Sequence, residues 1–305
     1  MIVHLGLGAF HRAHQAVYTE DAGGWEICGV TRRSRAVGGP YTVISRGPHD
    51  DSAREITVIR EALVAADEPD AVVARIAAAE IVTLTITEGG YERGGMLELL
   101  ARGISKRSAP LTVISCDNVP RNGEVLRDLL GAPPGVAFPC TVVDRIVPTP
   151  EDPLTVIAEP FSWWVIEHFE GPRPDWNARF VEDTRPYEKM KLRLLNASHT
   201  ALAALGIPKG HATVAEAIAD PELHDFVRRL LDEELLATVD APGAEEYVET
   251  MLERFANPRI EHRLEQIATG AEHKVRQRLI PAADELRAAG REPELIDQVV
   301  RQALR

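Results

Sequence analysis

The sequence predicts an α/β protein: an N-terminal Rossmann-like, doubly wound sheet domain followed by a mostly α-helical C-terminal domain. Three observations carry that prediction. Short runs of apolar and β-branched residues alternate with helical patterns up to about residue 180, a glycine turn follows the first of these runs, and beyond residue 180 helical patterns succeed one another without a strand between them. Unbroken apolar runs are what strands covered on both faces of a parallel sheet require. Their alternation with helices is the grammar of a doubly wound domain.

In order, IVHLGLGAFHRAHQAVY (2–18) reads as a strand, a glycine turn and a helix opening at about Phe10. WEICGV (25–30) is a second strand, and EITVIREALVA (55–65) holds one further β-branched run before an acidic turn. IVTLTI (81–86) and LTVIS (111–115) follow, with helical patterns in DAVVARIAAAE (70–80) and MLELLARGI (96–104). From Tyr187 onward helices are expected over 188–205, 213–218, 221–237, 244–256, 259–268, 272–289 and 293–304. At 305 residues the chain exceeds the size at which one core usually stops growing. The expected domains are therefore 1–180 and 181–305, joined through PDWNARFVEDTRP (174–186).

Composition narrows the function classes. Apolar residues make up 45% and charged residues 27%, the proportions of a soluble globular chain. A net charge of −13 argues against nucleic acid and anionic membranes as partners, because both need a basic footprint. An anionic ligand would need a locally positive site. No run approaches the roughly 18 apolar residues of a membrane span, and MIVHLGLGAF lacks a basic leader, so a cytoplasmic location is expected. Cys28, Cys116 and Cys140 are too few and scattered for a disulfide framework or a zinc ribbon and read as packing residues.

Gly6-Leu7-Gly8-Ala9-Phe10-His11 begins as a dinucleotide fingerprint does, with glycines that let backbone N–H groups approach a pyrophosphate at a helix start. His11 stands where the third glycine belongs. The alternative is a plain strand-to-helix turn, but the position directly after the first strand favours NAD(P)(H). An acid at the end of the second strand would favour NAD(H) through the ribose hydroxyls. Here the chain reads TRRSRA (31–36), and Arg32, Arg33 and Arg35 suit a 2′-phosphate, so the reading leans toward NADP(H). The alternative is that these arginines are solvated loop charges.

KMKLRLLNASHTALAALG (189–206) sets three polar groups in an apolar helix. At about 100° per residue from Lys191, His199 lies at about 80° and Asn196 at about 140°, on one side. Met190, Leu194, Ala197, Ala201 and Leu205 cover the other, so the helix is expected to be buried nearly all round. Burial disfavours a charged amine and fits Lys191 to act as a general base. Its alternative is a lysine that reaches solvent along its alkyl stem. Oxidising a secondary alcohol takes a base for the hydroxyl proton and donors for the developing oxyanion, which a lysine and an asparagine supply without a metal. Asp117, Asn118 and Asp144 each end or follow an apolar strand, where α/β sheets bind ligands, although Asx residues there also cap turns.

The spacing of Lys191, Asn196 and His199 resembles the signature of the mannitol dehydrogenase family, polyol-specific long-chain dehydrogenases that include mannitol 2-dehydrogenases and fructuronate reductases. GLGAFHRAHQA (6–16), TITEGGY (85–91), SCDNVPRNG (115–123), VDRIVP (143–148), EPFSWWVIE (159–167) and YEKMKLRLLNASH (187–199) match in family order. The resemblance implies a metal-independent site in the cleft between a Rossmann domain and a helical domain. It makes Lys191 the general base, Asn196 and Asn118 the oxyanion-stabilising pair, His199 a substrate-orienting donor and Glu188 a gate for proton exit. It places Asp144 and Lys274 at the substrate. It gives the cofactor Gly6, Gly8, Phe10, His11 and Arg12 of the first turn and helix and Thr87 and Glu88 of TITEGG, beside the three arginines.

Two departures from the family pattern bear on substrate and length. Gln266 stands where mannitol 2-dehydrogenases carry arginine, and GAE (270–272) replaces the usual DGS; the glutamine is more like the fructuronate reductase branch. The chain is also shorter than is usual in the family. The expected partner is a small sugar alcohol or uronate, and the expected assembly a monomer or small homo-oligomer. Two other readings are weighed: a metal site at His11 and His14 of HRAH, which have no carboxylate or cysteine nearby in sequence, and a regulatory NAD(P)-binding protein without turnover, against which the intact Lys191, Asn196 and His199 argue.

Overall fold

The computed structural model describes residues 1–33, 38–91 and 95–304, with the side chain of Glu88 excepted. Arg35, one of the expected cofactor residues, lies outside the described residues. By its internal contacts the chain divides into two compact units, Met1–Arg46 with Asp51–Thr184, and Gly47–Asp50 with Arg185–Arg305.

The strands of the first unit are β1 (Ile2–Leu5), β2 (Ile27–Thr31), β3 (Tyr41–Arg46), β4 (Asp51–Ile56), β5 (Ile59–Val64), β6 (Ile81–Leu84), β7 (Leu111–Ser115), β8 (Val136–Ala137), β9 (Thr141–Asp144), β10 (Thr155–Ala158), β11 (Trp163–Glu167) and β12 (Arg179–Val181). Six form a parallel sheet in the order β5-β2-β1-β6-β7-β8. The other six make two small sheets, β10-β3-β4 and β12-β11-β9. The expected single run over 55–65 is instead the end of β4, a break at Thr57–Val58, and β5 in a different sheet. Asp144 likewise ends a strand of the small sheet, paired antiparallel with β11 opposite Trp163, and not a strand of the parallel sheet.

Side chains alternate across β1, so the sheet has two cores. Val3 and Leu5 pack with Val72, Val73 and Ile76 of the helix Pro69–Ala78 and with Leu97 and Leu100 of the helix Met96–Ser105. Ile2 packs on the opposite face with Ala13 and Ala16, from the helices Ala9–Ala13 and Gln15–Ala22, and with Trp164 and Trp176. The three cysteines are buried and free, Cys28 and Cys116 within these two cores. Chain order reverses between β1 and β6, and this switch point is where a doubly wound sheet opens a ligand crevice.

The second unit is helical among its described residues. Its first helix runs Arg185–Met190, continues as a π-helical turn over Lys191–Asn196, and resumes as α-helix over Ala197–Gly206. Thr213 and Glu216 form a reciprocal capping box that starts Val214–Ala219, and Asp220 before Pro221 caps Pro221–Arg229. The helix expected over 259–268 is confined to Leu264–Ala268. The one expected over 272–289 breaks into Ala271–Arg278 and Ile280–Ala288, because Pro281 lacks an N–H and fits only the first turn of a new helix. No helix of the described residues is long and apolar enough to cross a membrane.

Candidate active site

The glycine turn is held from beneath. Gly6 N and Leu7 N donate to Val30 O at 2.8 and 3.0 Å, and Thr85 Oγ1 donates to Gly6 O at 2.8 Å. Gly6 has φ +98°, and a Cβ there would stand 2.2 Å from the Thr85 carbonyl oxygen, so no other residue fits where this turn meets the β6 loop. Gly8 is exposed, a Cβ there meeting only the Gly6 carbonyl oxygen at 3.7 Å, and Phe10 is half-buried against His14, ring centroids 5.1 Å apart. An open glycine that starts the helix Ala9–Ala13, directly at the switch point, fits the close backbone approach of a pyrophosphate.

His11 and Arg12 are turned inward. His11 is fully buried and stacks on His4, centroids 3.3 Å apart, with neither ring nitrogen hydrogen-bonded. Arg12 donates to Pro153 O and lies 5.5 Å over the Tyr41 ring, whose hydroxyl donates to Arg12 O at 2.7 Å. Both side chains therefore support the glycine turn from within the core. His14 Nε2 donates to Trp163 O and its Nδ1 accepts from Gln15 Nε2, both at 3.0 Å, and no cluster of three metal-ligating side chains occurs among the described residues.

The β6 loop is fixed by a residue whose part the sequence reading missed. Asp117 accepts from Ile86 N at 3.1 Å, Thr87 N at 2.8 Å and the Tyr91 hydroxyl at 3.1 Å. Thr87 is thereby held at φ +63°, a left-handed conformation rare for a β-branched residue and characteristic of functional loops. Burial and the neighbouring Asp117 raise the Tyr91 phenol above its usual range, so it stays a donor. The only legible signal was an Asx residue after a strand. Asn118 follows it and is exposed; Asp144 is buried; Arg32 and Arg33 are exposed after β2, which ends at Thr31 without an acid.

On the second unit the π turn alters the expected geometry. A turn closed by i→i+5 bonds carries Asn196 one full turn below Lys191, in place of the wide angle of a regular helix. His199, three residues on in α-helix, then falls about 60° from Asn196. The Asn196 carbonyl accepts from Thr200 Oγ1 at 3.0 Å and Arg278 Nη1 at 3.2 Å, which secures the π-to-α junction. Arg193, on the inner side, binds both carboxylate oxygens of Glu285 at 2.7 and 2.6 Å, and Lys189 adds a bond at 2.9 Å. These cations, the Arg193 bonds first, lower the Glu285 carboxyl to about 2.

The helix is not buried all round as expected. Glu188, Lys191, Leu192 and Asn196 are half-buried, while Arg193, Leu194, Leu195 and every residue from Ala197 to Ala203 are buried. His199 packs against Phe255, centroids 4.5 Å apart, and His262, 4.6 Å apart at 74°. Burial first, then the charges of His262, Arg254, Arg278 and Lys191, hold the His199 imidazolium form far below its usual range. Lys274 is half-buried and donates to Ile267 O at 2.8 Å, whereas Gln266 is exposed. The structure thus gathers Lys191, Asn196 and His199 on one helix and sets Asn118 and Asp144 on the other unit.

Residues 1–178 match the mannitol dehydrogenase Rossmann domain, and residues 183–305 match the mannitol dehydrogenase C-terminal domain. The D-mannonate oxidoreductase of Escherichia coli is 34% identical over 92% of this chain and 74% of its own length. A mannitol 2-dehydrogenase of Pseudomonas fluorescens, solved as a ternary complex with NAD and D-mannitol, superposes with a TM-score of 0.87 at 32% identity, covering 99% of this chain and 78% of that one. A substrate-free D-sorbitol dehydrogenase gives 0.87 at 27% identity, over 99% and 79%. With both of its halves matched in order, the chain belongs to the mannitol dehydrogenase family.

Proposed function

We propose that this protein is an oxidoreductase that moves a hydride between NAD(P)(H) and a secondary alcohol or ketone of an open-chain polyol or aldonate, with no metal in the step. The observation that carries it is the π turn, which aligns a half-buried amine, Lys191, with the Asn196 carboxamide above the buried His199.

When bound at the glycine turn, the oxidised nicotinamide supplies the hydride acceptor. Lys191 takes the proton from the substrate hydroxyl. Asn196 donates to the oxygen while it carries negative charge, and the family resemblance gives Asn118 the matching task. His199 donates from its neutral ring to orient the substrate, and Glu188, one turn before Lys191, passes the proton on to solvent. In the reducing direction Lys191 returns a proton to the alkoxide. Exposed Arg32 and Arg33 support NADP(H) as the preferred cofactor, against the NAD named for the Pseudomonas complex.

The test is a spectrophotometric panel of mannitol, sorbitol, mannonate and gluconate with NAD+ and NADP+, and of fructose and fructuronate with the reduced forms. Turnover of at least one pair is expected. Tight cofactor binding with no turnover on any of them would favour the regulatory reading.

A further inference from the structure

The loop SCDNVPRNG, which carries Asn118, also carries a buried amide that no step of the proposed reaction uses. Asn122 is 1% exposed and opens the helix Asn122–Leu129. Its Nδ2 donates to Asp117 O at 3.1 Å and to Thr141 O at 3.0 Å, and its Oδ1 accepts from Thr141 N at 3.0 Å. Both donor hydrogens and the acceptor oxygen are therefore committed to backbone, on two separate segments.

Two local features let the amide reach. Arg121, before it, has φ +52°, a left-handed conformation held by its guanidinium, which donates to Glu124 Oε1 at 2.7 Å, Glu167 Oε1 at 3.0 Å and Thr184 Oγ1 at 3.2 Å. Gly123, after it, packs so close that a Cβ there would stand 2.4 Å from Phe138 O. The start of the helix thus lies directly on the residues that lead into β9.

The two segments belong to different sheets. β7 pairs with β6 and β8 in the parallel sheet, whereas β9 pairs with β11 in a small one. The carboxamide lies against Thr141 as a neighbouring strand would, giving one bond and taking one, while its second N–H reaches the loop after β7. Thr141 Oγ1, bonded to Ser115 O at 2.6 Å, closes the same junction from β7 itself. Because a peptide unit is planar, holding the Asp117 oxygen also fixes the Asn118 nitrogen and the direction in which that residue leaves the loop. At the other end Asp144 stands three residues along β9 from Thr141, about 10 Å away. Asp117 therefore points two ways: its carboxylate orders Ile86 and Thr87 of the β6 loop, and its carbonyl oxygen belongs to the junction with β9.

We propose that Asn122 is a positioning residue that sets the spacing between Asn118 and Asp144 by tying the loop after β7 to the strand β9. This rests on the oxidoreductase reading for the tasks of Asn118 and Asp144; the tie itself is a claim about the fold of the first unit. Being buried, Asn122 acts on the rate through Asn118, while cofactor binding depends on the other arm of Asp117.

The experiment uses the full chain and its Asn122→Ala, Asn122→Ser, Asn118→Ala and Asn118→Ala/Asn122→Ala variants. With the substrate and cofactor pair that the native chain turns over fastest, Asn122→Ala should lower kcat by about 10- to 100-fold, the cost of a misplacement of about 1 Å. Cofactor affinity should change by about twofold or less. The double variant should lose no more than Asn118→Ala alone. Losses that multiply, or an equal loss of cofactor affinity, would overturn the positioning role and leave Asn122 a packing residue. Amide hydrogen exchange, read by mass spectrometry, is run on the same proteins without substrate. Peptides from 115–123 and 138–146 should exchange about tenfold faster together in Asn122→Ala, while those from 81–91 keep their protection. Continued protection of 138–146, or faster exchange throughout the first unit, would overturn the tie. Asn122→Ser, which keeps one short hydroxyl, carries both measurements should the alanine variant not fold. A native chain that turns over no substrate would end the oxidoreductase reading, and the exchange pattern would then decide the tie by itself.

Discussion

His4 and His11 stack face to face at 3.3 Å beside the glycine turn, and both are wholly buried. His4 is bonded through Nδ1 to Thr83 Oγ1 at 2.7 Å and through Nε2 to Thr85 Oγ1 at 2.9 Å, and burial lowers it to about 3. Burial first, then the charge of His4, puts His11 well below its ordinary value too.

The sign of the resulting pH dependence follows. A histidine whose value in the fold lies below its unfolded value of about 6.5 binds fewer protons folded than unfolded, so stability rises with pH through the interval between the two. The contribution is complete above about pH 6.5 and is lost as pH falls toward 3, the value for His4. Urea midpoints measured from pH 7 to pH 4 should fall steadily, and His11→Leu should flatten that slope by about one proton. An unchanged slope would mean that His11 titrates freely in the fold.

Asp117 orders the β6 loop through three bonds, so Asp117→Ala leaves the Ile86 and Thr87 backbone N–H groups and the Tyr91 hydroxyl without that acceptor. Cofactor affinity, read by NADH fluorescence titration, should weaken by about 10- to 100-fold, with a loss of about 1–3 kcal/mol in stability. Asp117→Asn should recover only part, since it brings a donor where two acceptor positions are used.

Lys191→Ala removes the proposed base and leaves the glycine turn of the other unit untouched. The expected loss is about 10²- to 10⁴-fold in kcat with cofactor binding nearly intact. Equal loss of both would point to a lysine that only supports the fold.

Glu285→Gln weakens the forked pair with Arg193, which anchors the inner side of the π turn. Because Glu285 is 48% exposed, solvent screening limits the stability loss to about 1–2 kcal/mol. Activity should fall by more than that figure implies, as Lys191 and Asn196 lose their fixed support. The pair's contribution is present above about pH 4.5 and is lost as pH falls toward 2.

Arg32→Ala with Arg33→Ala removes the exposed charges after β2. KM for NADP+ should rise about tenfold or more while that for NAD+ changes little. A parallel rise for both cofactors would assign these arginines to the shared diphosphate or to the fold.

The parallel sheet was legible because its strands are unbroken apolar runs, IVHL, ICGV and LTVIS among them, and both faces are indeed covered. The small sheets were not, because TVVD and WWVIE are short and YTVISR is only half-buried. The break at Leu279 escaped notice since Val275, Leu279, Ala283 and Leu286 keep helical spacing across it. Lys191, Asn196 and His199 could be found as polar groups on an apolar helix, but a uniform helix angle cannot reveal a π turn, which depends on tertiary bonds such as Arg278 to the Asn196 carbonyl. Asp117 could be seen as a polar residue after β7, yet its bonds to Ile86 and Thr87 join segments about thirty positions apart, a closure that only the folded sheet reveals. His262 carries no local pattern at all.

The π turn also sets a limit on redesign. Deleting one residue within Lys191–Asn196 would let the whole segment wind as ordinary α-helix, with better-formed bonds along its length. The same deletion would swing the amine by about 40° relative to everything downstream, four steps of about 100° in place of one full turn. A shorter, sturdier rod would result, with its reagents pointing in different directions, so selection for heat resistance alone would steer this helix away from chemistry.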